Sequence, residues 1–566
     1  MRKQELKQIL NRIEGRPYPA YKDTRGRYDF DDYTLSIDHV QGDPFAAPSD
    51  VSVELKSNVA GFPKEALRTK ETRTAVADQI LRNFGSALKD SAGHVKGSGK
   101  SGKLSVSRPG QEILERTSVT LTENGDLRVR FNVGFPASGR RILARELEKI
   151  LFAVLPQVVA RTLVYANYDE KEKDQIRKVW MLAEDQTALR KQMADRDLVA
   201  FVADGAILPR QSGISDKPMT GAVPFESPET LKVTLETPHH GPISGLGIRK
   251  GITLIAGGGY HGKSTLLEAI EKGVYDHIAG DGREYVLTAD NAVKSRAEDG
   301  RSIQDVNISG FITNLPNHKD TQAFYTEDAS GSTSQAAGLA EALEAGAKVI
   351  LMDEDTSAAN FMIRDNLMQE VIHKDKEPII PFVDRVEELR DGHDISTILV
   401  AGSSGAFFDK ADTIIQMDAY KPLDITEKAK EAASRYHFES RTGLAPFDCS
   451  SVRVPQPVKE SARSKVRSRG LDTISIDRQE IDMRLVEQLT DSEQLSAIGQ
   501  LLRMANRDII NGQKTVTQVV DEIEQRLNEK PMDQTVKGHG ARPRRQELFA
   551  ALNRQRYQPI KSTCSE

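Results

Sequence analysis

Four residues at fixed spacing carry the plainest chemistry in this sequence. Gly257, Gly262, Lys263 and Ser264, in "LIAGGGYHGKSTLLEAI", fit G-x-x-x-x-G-K-[ST]. Such a loop wraps phosphate oxygens in backbone N–H groups at the positive end of a helix, with a lysine reaching the β and γ oxygens and a hydroxyl free for Mg²⁺. Gly257, Gly258, Gly259, Tyr260, His261, Gly262, Lys263, Ser264 and Thr265 are the candidate nucleotide contacts. An apolar run ends at Ala256 and a helical one starts at Ser264, the context that separates this motif from a glycine-rich turn. A second match, Gly97, Gly102 and Lys103 in "GSGKSGKL", has Leu104 where the hydroxyl belongs and no apolar strand before it, so it reads as a mobile basic loop.

Acidic residues form the next constellation. In "AKVILMDEDTSAANF" an apolar run delivers Asp353 and Glu354 to the C-terminal end of a strand, where ligands collect in open parallel sheets. Asp353 and Ser264 suit an Mg²⁺ shell, Glu354 suits polarisation of an attacking water, and Lys263 completes the catalytic candidates. Alone, "DED" is an ordinary solvated turn; beside a phosphate loop it reads as the acidic partner. Upstream, Ser330, Gly331, Ser332, Thr333, Ser334 and Gln335 precede an Ala/Leu-rich helix, as an anion-binding turn or as a simple N-cap.

These residues need a scaffold. From Leu231 to Asp418, short apolar runs ("GITLIAG", "EYVLTAD", "AKVILMDED", "ISTILVAG", "TIIQMD") alternate with helical segments, which predicts an α/β core with a mainly parallel sheet. The first 165 residues read as an α+β domain: an amphipathic helix, turn-separated strands, a hairpin at Asn124-Gly125 and a long helix from about Arg140 to Tyr165. Residues 166–445 then hold the nucleotide core, with the Pro/Gly-rich "LPRQSGISDKPMTGAVPFESPET" as a connector into it. Residues 446–566 read as a basic linker and a mainly helical C-terminal domain.

Composition excludes some classes. At 566 residues the chain exceeds one hydrophobic core and predicts roughly three or four domains. A net charge of −5 with 28% charged and 38% hydrophobic residues announces neither disorder nor a global affinity for nucleic acid. Two cysteines, Cys449 and Cys564, are too few for a disulfide framework or metal cluster and suit a reducing, cytoplasmic setting. The most apolar segment, at 150–166, is broken by Pro156 and Arg161, so no membrane crossing is expected. His239-His240 lacks a partner at metal-ligand spacing.

The order phosphate loop, S-G-x-x-x-Q turn, helix, apolar strand and D-E-x-T-S resembles the ATP-binding cassette (ABC) class. "SGSTSQ" stands for its signature and "SAAN" for its D-loop. More closely, "GGGYHGKSTLL", "RAEDGRS", "ASGSTSQAA", "DEDTSAANFMIRD" and "HVQGDPFAAPS" resemble the predicted ABC-class ATPases, a soluble non-transporter family, over most of the chain. The resemblance implies a P-loop NTPase core of ABC type, ATP and Mg²⁺ as ligands, sites shared between two copies in a homodimer, and an RNA association for some relatives. Departures are informative. Asn360 replaces the D-loop aspartate, "VAGSSGAFF" offers Gly402, Ser403 or Ser404 where a switch histidine usually stands, and Gln304 fits a glutamine loop by order only.

The expected function is therefore ATP hydrolysis coupled to RNA or another polyanion. Lys465, Arg467 and Arg469 in "PVKESARSKVRSRG", and Arg542, Arg544, Arg545, Arg554 and Arg556 in the tail, supply local basic excess. Such runs are also commonly solvated faces. Two rivals remain: a nucleotide-gated protein scaffold with slow turnover, and a small-molecule kinase, which needs an acceptor-orienting base and a lid.

Overall fold

The computed structural model describes residues 1–562 apart from 92–94, 366–370, 372–376, 437–442, 449–451, 460–464 and 478. Cys449, Cys564 and Met368 lie outside the described residues. The chain forms two compact units, Met1–Glu184 with Lys530–Arg542, and Asp185–Glu529 with Pro543–Glu566.

The first unit is an antiparallel sheet backed by helices. Its strands run in the order Gly26–Asp29, Thr34–His39, Ser49–Leu55, Leu127–Val133, Leu104–Ser105, with Val119–Leu121 also paired to Leu127–Val133. Alternation decides the faces: in Leu127–Val133 every second residue is buried, and Phe131 meets Phe84 of the helix Lys70–Asp90 at 5.4 Å between ring centroids. Gly125, at φ +86°, makes the expected tight turn. The expected helix near 140–165 is interrupted by a π-helical turn at Ile150–Val154, and Leu155–Thr162 continues it with Pro156 in its first turn. The "GSGKSGKL" loop is tied down rather than mobile: Lys100 N–H donates to Pro44 O, and Gly102 and Gly134 N–H donate to Gly134 O and Lys103 O. The N–H groups of Ser98, Lys100, Ser101, Gly102 and Lys103 are all taken by protein carbonyls, which leaves them unavailable to a phosphate. Lys530–Arg542 completes this unit. Asp533 accepts from Arg128 (3.1 Å) and Arg130 (3.2 Å), and the Thr117 hydroxyl donates to Gly538 O at 2.6 Å.

The second unit is α/β. Its main sheet runs Ala292–Ser295, Val349–Asp353, Ser396–Ala401, Ile252–Ala256, Thr413–Asp418, Lys421–Asp424; the first five strands are parallel and the last returns as a hairpin. Ile252, Leu254, Ile350, Met352, Leu399 and Ile414 pack there with the helices Gly331–Glu344 and Val386–His393. A separate antiparallel sheet runs Lys232–Thr237, Gly241–Arg249, Leu198–Ala203, Val286–Thr288. "EYVLTAD" was expected in the parallel sheet but pairs antiparallel with Leu198–Ala203. Strands buried on both faces give the same apolar run in either kind of sheet, so the sequence pattern cannot separate them.

Two segments read as linkers are folded. "LPRQSGISDKPMTGAVPFESPET" contains the hairpin Arg210–Ser212/Ser215–Pro218. The basic linker holds the strand Val466–Arg469, first of a three-stranded antiparallel sheet with Thr473–Ile476 and Gln479–Asp482, packed on the helix Ser492–Asp508. Gly499 permits that approach, because a Cβ there would fall 2.6 Å from Val466 Cγ1 and 2.8 Å from Ile474 Cγ2. Further on are the helices Val516–Glu529 and Arg545–Asn553.

Candidate functional site

The glycine-rich loop leaves the strand Ile252–Ala256, which has parallel neighbours on both sides and opens at its C-terminal end. Gly257, at φ +139°, runs so close to the adjacent strand that a Cβ would meet Met417 O at 2.5 Å. Gly262, at φ +94°, starts the helix Lys263–Lys272 and turns its free N–H groups toward the loop. Tyr260 stands at the tip, fully exposed, with φ +64°. His261 fixes the loop sideways: its Nδ1 accepts the Ala419 N–H at 2.9 Å and its carbonyl accepts the Tyr420 N–H at 3.2 Å. Lys263 Nζ donates to Gly258 O at 2.8 Å, curling back over the loop. Ser264 is exposed and Thr265 half-buried beside it.

The acidic pair sits at the end of Val349–Asp353, two strands away in the same sheet. Asp353 is buried, and its Oδ1 accepts the Asp355 N–H at 3.1 Å. Glu354 is held by the loop after Ser396–Ala401. Its Oε2 accepts the N–H groups of Gly402 (2.5 Å) and Ser403 (3.2 Å), and its Oε1 accepts the Ser403 hydroxyl. Partial burial raises the Glu354 pKa, but those donors and the charge of Lys263 outweigh it and hold the carboxyl below its ordinary value. A Cβ on Gly402 would lie 3.5 Å from Lys263 Nζ, so the lysine, the carboxylate and the 402–403 loop converge.

Asp353 and the Ser264 hydroxyl are oxygen donors of the kind that Mg²⁺ takes. Mg²⁺ keeps several waters and takes one or two protein oxygens plus substrate phosphates, so it needs no closed cage. No group of three or more His, Cys, Asp or Glu that could hold a metal occurs among the described residues.

The signature-like turn divides in two. Ser330 is the N-cap of Gly331–Glu344, and its hydroxyl meets that of Thr333 at 3.0 Å; Ser330 is exposed, and Gly331 and Thr333 are partly so. Ser332, Ser334 and Gln335 are buried. Ser334 Oγ accepts the Glu298 N–H at 2.8 Å, and Gln335 bonds Ser357 Oγ (3.0 Å) and the Ala358 N–H (2.9 Å), bracing the turn after the acidic pair. None of the six lines the cleft beside the phosphate loop. In "RAEDGRS", Arg296 pairs with Glu487 at 2.6 Å, Arg301 with Glu341 and Glu298 with Arg554. Gln304 is buried and donates to the carbonyls of Gln555 and Arg556, so it is no glutamine loop.

Sequence reasoning missed the cleft itself. It encloses about 590 Å³ between Gly259–Thr265 and a wall formed by Leu208, Met219, Val223, Phe225, Met417 and Tyr420. Pro and Gly in the 208–225 segment mark a loop, and no periodicity there announces a wall.

The basic segments separate sharply. Arg542 pairs with Glu115 (3.1 Å), Arg544 with Glu547 (2.7 Å), Arg545 with Asp521 (2.6 Å) and Glu524 (2.7 Å), Arg554 with Glu298, and Arg556 donates to Gly300 O (3.0 Å). Four of these five arginines are therefore neutralised by carboxylates, whereas exposed Arg556 meets only a carbonyl among the described residues. Lys465, Arg467 and Arg469 are exposed, and no carboxylate pairs with their side chains among the described residues.

A parallel sheet that presents a glycine-rich phosphate loop and an acidic strand end together, with an antiparallel sheet beside it, defines a P-loop ATPase fold of the ABC type. Family models match most of the chain: "ATPase of the ABC class N-terminal" over residues 3–166, "P-loop domain" of the ABC ATPases over 172–447, and "MRB1590 C-terminal domain" over 465–561. The chain belongs to the ABC-class ATPases. The uncharacterized protein MJ1628 of Methanocaldococcus jannaschii is 30% identical over 274 residues, 45% of this chain and 58% of the relative's own length. Among solved structures, the ADP form of MJ1267, an ATP-binding cassette of an ABC transporter, is 15% identical with a TM-score of 0.24, covering 35% of this chain and 89% of its own. CbiO1 from Clostridium perfringens, part of the CbiONQ ABC transporter complex, is 14% identical with a TM-score of 0.26, covering 42% and 94%. No helix among the described residues is long and apolar enough to cross a membrane.

Proposed function

We propose that this chain binds ATP with Mg²⁺ and hydrolyses it in composite sites formed by two copies, and that nucleotide-driven closure is coupled to RNA or another nucleic acid in the cytoplasm. The observation that carries the reading is the convergence of Lys263, Glu354 and the 402–403 loop at the mouth of one parallel sheet. Backbone N–H groups of Gly257–Thr265 and Lys263 hold the phosphates, Ser264 and Asp353 hold the Mg²⁺ that neutralises phosphate charge, and Glu354 orients the attacking water. Ser330, Gly331 and Thr333, the solvent-facing half of the signature-like turn, have no role at their own phosphate loop and are left to contact nucleotide on a second copy. The slow-turnover scaffold is favoured by one observation, the capture of both Glu354 oxygens by Gly402 and Ser403.

Complementation tests the composite site. Ser330→Ala/Gly331→Ala should bind ATP as the parent does yet hydrolyse it at least about 100-fold more slowly, as does loss of a transition-state contact. Mixed with Lys263→Ala, it should regain activity, because a mixed dimer holds one whole site. Demonstrated mixed dimers without recovery would reject sharing between copies.

Nucleic acid is tested by salt. Arg467 and Arg469 are two residues apart on one strand and so share a face, with Lys465 just before them. Replacing all three by Ala should weaken RNA binding regardless of sequence and reduce the slope of log K against log salt by about two, at ~0.7 per phosphate contact on a single strand. Fluorescence anisotropy at several salt concentrations reads this directly. A flat salt response in the parent chain would reject the nucleic-acid partner.

A further inference from the structure

The cleft beside the phosphate loop is larger than phosphates need, and its walls are of a different chemistry. Met219 (41% exposed), Val223 (44%) and Tyr420 (55%) leave apolar surface open to solvent there, above buried Phe225. Exposed apolar surface grouped in a concavity marks a ligand site.

The wall is built to stay in place. Residues 208–225 leave and rejoin the core at a closed neck, where Gly205 N–H donates to Phe225 O (2.8 Å) and Phe225 N–H to Ala206 O (2.9 Å). A buried cluster grips the outgoing strand: Arg210 pairs with Asp281 at 2.7 Å, His277 meets the same carboxylate at 2.8 Å, and Arg283 Nε donates to Leu208 O at 2.9 Å. Tyr420 is held on its own account. Ala419 and Tyr420 form the two-residue turn between Thr413–Asp418 and Lys421–Asp424, with φ +45° and +71°. Such a turn favours Asn-Gly, so a tyrosine there costs backbone strain. His261 clamps the turn to the phosphate loop, and the Tyr420 ring lies against Gly262, where a Cβ would sit 3.2 Å from Cδ1.

We infer that this cleft seats the base of the bound nucleotide, with the Tyr420 ring as its platform and Met219, Val223 and Phe225 as its apolar lining, and that it takes adenine and guanine alike. This rests on the phosphate-loop reading above. Among the described lining residues, the polar side chains are those of Tyr260, Lys263, Ser264 and Thr265 on the phosphate loop, Asp355 beside the acidic pair, and the Tyr420 hydroxyl. Asn, Gln and Arg are absent from that lining, Lys263 is turned back onto Gly258 O of the phosphate loop, and Asp355 follows Val349–Asp353, three strands from the strand that carries the Tyr420 turn. A pocket that offers apolar contact separates ligands of similar shape weakly, whereas a built hydrogen-bonding set rejects the wrong one by about 10⁴-fold.

Calorimetry on the full chain with ATP, GTP and inorganic tripolyphosphate, each with Mg²⁺, tests this. The parent should bind ATP and GTP within about five-fold of each other, since apolar discrimination is small. Tyr420→Ala should weaken both by about ten-fold, the scale of one lost base–aromatic stack, and leave tripolyphosphate unchanged. Tyr420→Phe should restore both, and Tyr420→Asn, which suits the positive φ, should behave like the alanine variant and exclude a folding defect. Unchanged ATP affinity in Tyr420→Ala and Tyr420→Asn, or a parent preference above about 100-fold for one purine, would overturn the base site. If tripolyphosphate still bound and Lys263→Ala still weakened it, the phosphate reading would survive that failure. Absence of all binding in the parent would overturn both.

Discussion

Lys263→Ala should weaken ATP binding by roughly 30- to 150-fold, the equivalent of about 2–3 kcal/mol for a charge-assisted contact to phosphate. The lysine does not wait free in solvent: its ammonium already donates to Gly258 O, and it lies next to the Glu354 carboxylate and Gly402. Nucleotide must exchange a neutral carbonyl partner for charged phosphate oxygens, and that difference is what the mutation removes. Isothermal titration with ATP and Mg²⁺ gives the number. Since Lys263 helps keep Glu354 ionised, the variant should also let the Glu354 pKa rise toward its ordinary value. Undiminished affinity would place the phosphate site elsewhere.

Glu354→Gln should keep ATP binding within a few-fold and slow hydrolysis by about 100-fold or more, the usual contribution of a positioned proton acceptor. The depressed pKa means that the parent carboxylate is charged throughout the neutral range and protonates only when pH falls below the ordinary glutamate value. The sign follows from the direction. Because the folded-state pKa is lowered, the hydrogen bonds from Gly402 and Ser403 stabilise the fold fully above the unfolded-state pKa and are lost as pH falls through the folded one. Parent turnover should therefore decline with acidification, whereas the residual rate of the amide variant should lack that limb. Turnover against pH, with phosphate release as readout, checks both statements. Intact hydrolysis in the variant would move the water-orienting role to another residue, with Asp355 next in the turn.

The phosphate loop and acidic strand were legible because their chemistry demands residue types that few other contexts use: glycines at φ +139° and +94°, then lysine and hydroxyl at a helix start. Ser403 was legible only as one of three positions, since nothing local says which donor faces a carboxylate 49 residues away. Pairing was opaque for a similar reason. Arg542, Arg544, Arg545 and Arg554 look like the arginines of Val466–Arg469 in the sequence, and only the fold shows that Glu115, Glu547, Asp521, Glu524 and Glu298 neutralise them. Val286–Thr288 and the 208–225 wall were missed because direction of pairing and the shape of an aperiodic loop leave no repeat in sequence.

Asp533 neutralises Arg130 across 403 residues of chain, and this imposes an order on synthesis. At about 5–20 residues per second the ribosome delivers the carboxylate roughly 20–80 s after the arginine. Until then Arg128 and Arg130 hold like charges side by side on the strand Leu127–Val133 without Asp533. The first unit to be begun is thus completed only after residues 185–529 of the second have been made. Its closing stitch, Lys530–Arg542, arrives only after the nucleotide core has left the ribosome, so a nascent chain carries a P-loop domain before it carries a completed N-terminal one.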